Sequence, residues 1–197
     1  MSKSDPSASK KEQRKTILWV VSIFFITIFV SGTISFVSDI IMSTSTMFVA
    51  FLILIAIVMI GIIFDVIGVA VTSADERPFH SMAARKVPGA LESLKLLRKA
   101  ERVSSICNDV VGDICGVVSG SASATIAAQL LHNFDFSWPQ MIGLAMSALV
   151  AGLTVGGKAI GKTFAIGSCT YIVQNVGKMI WALNNISKLF GSKRNKK

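Results

Sequence analysis

The chain has 197 residues, of which 52% are hydrophobic and only 16% charged, with a mean hydropathy of +0.63 and a net charge of +9. Soluble domains carry about 25% charged residues, and here whole stretches of about 25 residues hold one acidic group or none. These figures exclude a soluble domain, a disordered chain, a coiled coil, a secreted disulfide scaffold and a nucleic-acid-binding domain, and predict an all-α integral membrane protein.

Residues 1–16 are polar, carry Lys3, Lys10, Lys11, Arg14 and Lys15, and read as a disordered basic tail. Residues 17–42 hold one charge, Asp39, and are long enough to cross a bilayer. The polar turn Ser43 to Thr46 follows. Residues 47–72 form the strongest span, again with a single charge, Asp65. Residues 73–102 carry seven Lys/Arg and four Asp/Glu, with Leu91, Leu94 and Leu97 at three-residue spacing. That pattern predicts a helical belt at the membrane surface, broken into two helices by Pro78 and by Pro88-Gly89. Residues 103–131 form a third span rich in Gly, Ala and Ser, with Gly112, Gly116 and Gly120 in register. Residues 132–137 are a loop, Trp138-Pro139 suits an interfacial helix start, and residues 139–157 form a fourth span. Residues 158–190 are apolar but punctuated by Lys158, Lys162, Lys178 and Lys188. They read as a re-entrant or interfacial piece followed by an amphipathic helix. Residues 191–197 are a basic tail.

Cys107, Cys115 and Cys169 have neither the number nor the spacing of a disulfide framework or a zinc site, and read as small apolar side chains in a packed interior. The apolar run at residue 17 is too long for a cleaved signal, and Ser2 and Lys197 exclude the lipidation signatures. Orientation follows from the basic residues. Residues 1–16 hold five Lys/Arg, residues 73–102 hold seven and residues 158–197 hold eight, which is all 20; the other two loops have none. Four spans in a cell (plasma) membrane, with both termini in the cytoplasm, satisfy the positive-inside rule without exception.

Three segments carry a resemblance. The first is FDVIGVAVTSADERPFHSMAARKVPGALESLKLLRKAERVSS from Phe64, the second ICNDVVGD from Ile106, and the third GKAIGKTFA from Gly157. In order and spacing they resemble the transmembrane domain of the cyclin-M (CNNM)/CorC magnesium-transporter family over about 100 residues (64–165). Residues 43–190 would then be the family-like domain, with residues 17–42 an added first helix. Asn108 keeps the first Asn of the family's middle motif, and Gly157, Lys162, Thr163 and Ala165 keep the last motif. The chain departs from the pattern at Ile67 and Gly68, where the family has Ser-Glu. It departs again at Gly112 in place of Asn, at Lys158 in place of an acidic residue, and at Gly161 in place of proline. The resemblance implies a homodimer that binds a partly dehydrated Mg²⁺ near the centre of each protomer. Nothing here corresponds to the family's nucleotide-binding CBS pair, so no nucleotide is expected.

Read from the residues alone, Asp65, Asp109 and Asp113 fall near the cytoplasmic ends of spans two and three. Asp109 and Asp113 share a helix face bordered by Asn108. An aspartate deep in a span costs roughly 2.5–3.5 kcal/mol on insertion scales and normally has a partner. Three carboxylates and an amide at one depth suit a hard divalent cation such as Mg²⁺, with Asp65, Asn108, Asp109 and Asp113 as its ligands. The alternative is that they pack uncharged or pair with Arg102, Arg77, Lys158 or Lys162. Asp39, near the outer surface, reads as interfacial. Gly112, Gly116 and Gly120, with Gly152 and Gly156 and then Gly157 and Gly161 at the same spacing in span four, permit close helix approach, either within a protomer or at a dimer seam. His80 and His132 lie on opposite sides of the membrane. No catalytic triad or H-E-x-x-H set is present, so the chain is not expected to be an enzyme. Gly156 to Thr163 fits the letters of a phosphate-binding loop but ends a span rather than following a strand. Two functions follow as expectations: divalent-cation transport, with the lipid bilayer, the cation and a second copy as partners, or a non-transporting scaffold or regulator of the same fold.

Overall fold

In the computed structural model, residues 6–133 and 138–192 are described; all structural statements concern these. Helix α1 runs Pro6–Thr44, α2 Met47–Ser73, α3 Arg77–Ala84, α4 Ala90–Leu97, α5 Ala100–Ser105, α6 Gly112–Asn133, α7 Pro139–Gly167 and α8 Cys169–Ser192. A π-helical segment, Ile106–Val111, joins α5 to α6. The chain is all-helical among these residues, and four stretches are long and apolar enough to cross a membrane: Ile17–Met42, Met47–Ser73, Ala100–Asn133 and Gln140–Gly167.

Several boundaries differ from the sequence reading. The helix of α1 begins at Pro6, so residues 6–16 are not a disordered tail; residues 1–5 lie outside the described residues. Pro6 fits a first helical turn, and the Ala, Lys, Glu, Gln and Arg that follow are good helix formers with no breaker before the span. The belt holds three short helices rather than two. Pro78 does not interrupt α3; it occupies the first turn, where its lost N–H is not needed. Lys158 and Lys162 lie inside a continuous α7, so no re-entrant piece starts at residue 158. The helix passes its glycines because Gly157 and Gly161 press against Ile62 and Val66 of α2. Residues 134–137 of the loop and 193–197 of the basic tail lie outside the described residues.

Of the buried positions of α2, Ala50, Leu54, Val58, Gly61, Asp65, Gly68 and Val71 form one stripe at helical spacing, with Ala70 beside its end. Its two ends enter separate apolar cores. At the far end Ala50, Leu54 and Val58 pack with Met42, Ala122, Ile126 and Val150. At the belt end Ala70 and Val71 pack with Phe79, Leu94, Leu97, Ala165 and Val173. Two side chains of α6 fasten the last turns of α1: Thr125 Oγ1 donates to Asp39 Oδ1 at 3.2 Å, and Gln129 Nε2 donates to the Met42 carbonyl at 2.8 Å. Asp39 is therefore an interhelical acceptor near the end of its span.

The belt packs on protein. Leu94 and Leu97 are buried in the belt core while Leu91 is exposed, so only part of the leucine stripe is open. Helix α4 docks backbone to backbone on α8. A Cβ on Gly177 would come within 2.6 Å of the Gly89 carbonyl and 3.0 Å of Ser93 N. The buried Ser93 hydroxyl reaches the carbonyls of Gly89 at 3.0 Å and Val173 at 3.1 Å.

Candidate functional site

Between the two cores, about 12 Å inside the belt-side end of α2, three helices meet around charged and polar groups. Asp65 is supplied by α2, Lys158 by α7 and Asn108 by the π segment. The register is set by glycines. Gly61 leaves space only for Cys115, with 2.9 Å from an added Cβ to the Cys115 Cβ. Gly68 accepts the Asn108 side chain, whose Cγ would lie 2.8 Å from a Cβ there. Gly112 faces the Lys158 ammonium, 3.3 Å from where its own Cβ would be. At Gly61 the approach leaves no room for a side chain, whereas at Gly68 and Gly112 an added Cβ would push on the ends of the Asn108 and Lys158 side chains.

Asp65 is 4% exposed, and its Oδ1 lies 3.9 Å from Lys158 Nζ. Two buried side-chain oxygens have no hydrogen-bond donor: Asp65 Oδ2 and Asn108 Oδ1. Asn108 Nδ2 donates to Ser104 Oγ at 3.2 Å, which commits the amide nitrogen and turns the carbonyl oxygen away from it. The backbone is widened at this point, since the Gly112 N–H donates to the Cys107 carbonyl five residues back. Single π turns inside helices recur at functional sites. A buried acceptor left unpaired costs about 1–3 kcal/mol, more if charged, so each of the two calls for a donor or a cation.

The predicted ligand set divides. Asp65 and Asn108 come to the same junction. Asp109, in the π segment, and Asp113, in the first turn of α6, are exposed, and Asp109 Oδ2 accepts from Ser105 Oγ at 2.7 Å. Among the described residues no three His, Cys, Asp or Glu side chains gather to hold a metal ion. The three-carboxylate cluster is thus replaced by one carboxylate, one amide oxygen and an ammonium. The π turn is part of the reason, because it shifts the helical phase between Asn108 and Asp113. Lys162, also weighed as a partner, is exposed. Of the predicted packing glycines, Gly112 is at the junction, whereas a Cβ on Gly116, Gly120, Gly152 or Gly156 would meet nothing within 4 Å. Those four do not seat helices within the protomer. Sequence reasoning singled out Gly157 and Gly161, which do, but missed Gly61 and read Gly68 only as a departure from the family pattern. The signal of the missed two was their place one turn either side of Asp65.

His80 Nε2 lies 3.4 Å from Glu76 on the surface of α3. All three cysteines are free, as their spacing predicted. A search of family models, of curated proteins and of solved structures finds no match to this chain.

Proposed function

We propose that this chain is a multi-pass protein of the cell membrane that binds a divalent cation, Mg²⁺-like in its preference for oxygen ligands, as part of transporting it. Both termini and the belt face the cytoplasm in this reading, because all 20 Lys/Arg fall in residues 1–16, 73–102 and 158–197 and none in the two other loops. The observation that carries the ion reading is the pair of buried, donorless oxygens, Asp65 Oδ2 and Asn108 Oδ1. Mg²⁺ usually keeps several waters and takes only one or two protein carboxylates, so a two-oxygen junction is enough to hold it. Lys158 acts as a tethered counter-charge that neutralises Asp65 between ions and swings aside when one binds. The segments carrying the resemblance to the magnesium-transporter family, around residues 65–68, 108–112 and 157–161, are those that meet here, which supports the same reading.

Exposed Asp109 and Asp113 on a spanning helix need cover, and a second copy packed along the open Gly116/Gly120 face supplies it in a homodimer. The Asp65–Lys158 pair favours a second reading, a non-transporting scaffold in which the lysine replaces the ion permanently. Mg²⁺ uptake into vesicles reconstituted with the purified protein separates the two. Uptake that is lost in Asp65→Asn supports transport; wild type no faster than empty vesicles supports the scaffold.

A further inference from the structure

We propose that the cleft between the belt and α8 binds the phosphate head group of an anionic phospholipid. The proposal rests on the membrane reading above but not on the ion site. The cleft has a volume of about 550 Å³ and is walled by Lys86 and Lys95 from the belt and by Trp181, Asn184 and Asn185 from α8. This is a donor-rich wall: two ammonium groups, two carboxamides and an indole N–H. The one acid lining it, Glu92, lies 3.9 Å from Lys95. Lys86 has no ion-pair partner among the described residues.

Lys86 is also the only non-glycine described residue with a left-handed backbone, at φ 56°. It sits just past the end of α3, where its N–H donates to the Ala83 carbonyl at 2.9 Å and the next N–H, of Val87, donates to the Met82 carbonyl at 3.0 Å. Glycine is the usual residue at this position of such a helix ending. A lysine there gives up backbone comfort and in return sets a free ammonium at the cleft.

The position of the cleft selects a lipid over a free anion. On α8, Tyr171, Met179 and Leu183 are spaced by multiples of four and are each about two-thirds exposed. They form an apolar face of α8 that belongs against acyl chains; Trp181, two residues from Met179 and from Leu183, turns to the other side of the helix, where with exposed Leu91 it gives the cleft an apolar rim at head-group level. The ammonium groups then lie where lipid phosphates lie.

The test compares thermal stability of the purified chain in phosphatidylcholine vesicles with and without phosphatidylglycerol, after flotation to establish insertion. The expected result is a higher melting temperature with phosphatidylglycerol. That shift should fall by about half in Lys86→Gly, vanish in Lys86→Gly/Lys95→Gln, and persist in Arg98→Gln, a belt cation outside the cleft. Lys86→Gly removes the charge while easing the backbone, so loss of the shift in this variant reports lipid contact rather than misfolding. Inorganic phosphate added to the protein in detergent should not reproduce the shift. An equal shift in the double variant, an equal loss in Arg98→Gln, or full reproduction by inorganic phosphate would each overturn the proposal. A chain that does not float with vesicles would overturn the membrane reading along with it.

Discussion

Removing Lys158 should expose how much of the fold depends on neutralising Asp65. At 3.9 Å, and with an effective dielectric of about 20, the attraction is about 4 kcal/mol. Breaking a buried pair by deleting one partner costs about 3–5 kcal/mol, because the other charge is left uncompensated, whereas replacing both partners with uncharged groups is often near neutral. Lys158 retains partial access to solvent, which favours the lower end of that range. The assay is a double-mutant cycle with Asp65→Asn, Lys158→Met and the double variant, unfolded thermally in detergent with divalent ions chelated. We expect Lys158→Met alone to lose about 3 kcal/mol, the double variant to recover most of it, and a coupling of about 2–3 kcal/mol. A coupling below about 0.5 kcal/mol, the level at which independent sites add, would show that the pair does not hold the junction together and would refute the reasoning.

Four further outcomes are expected. Gly177→Ala forces a Cβ to within 2.6 Å of the Gly89 carbonyl, a backbone atom that cannot rotate away, so it should destabilise by about 1–3 kcal/mol, measured by thermal unfolding. Gly68→Ala displaces the Asn108 carboxamide and should weaken any divalent-ion effect. Gly116→Ala has open space around it and should leave protomer stability unchanged or slightly raised while reducing self-association, read by chemical cross-linking. In a background lacking Cys107, Cys115 and Cys169, new cysteines at positions 44 and 134 should react with an impermeant reagent outside the cell, and those at positions 85 and 195 should not; outside labelling at 85 would reverse the topology.

The spans and the grouping of charge at one end were legible because both rest on composition summed over many residues. Asp39 and Asp65 as isolated charges, the helix start at Trp138-Pro139, and the small-residue character of α6 were equally plain. The site was legible only in part. Asp65, Asn108 and Lys158 were each singled out, but linear spacing placed Asp109 and Asp113 beside them, and the π turn at 106–111 breaks that spacing by a local change of helix type that no residue in it announces. The end of span four was read too early because Lys158 and Lys162 looked like an interface, whereas a buried aspartate on the neighbouring helix admits a lysine into the bundle. The dock of α4 on α8 depends on Gly89, Ser93 and Gly177, whose meeting across about 80 residues is a tertiary fact.

In the proposed function, Asp65 and Asn108 hold a cation in competition with Lys158. The most direct test is the melting temperature of wild type, Lys158→Met and Asp65→Asn with and without millimolar Mg²⁺. A ligand that binds only the folded state adds about 2.7 kcal/mol at one hundred times its dissociation constant. The account predicts a rise for wild type, a larger rise for Lys158→Met, where the ion takes over the lost charge, and none for Asp65→Asn. No rise in Lys158→Met with Mg²⁺, Mn²⁺ or Co²⁺ would contradict it.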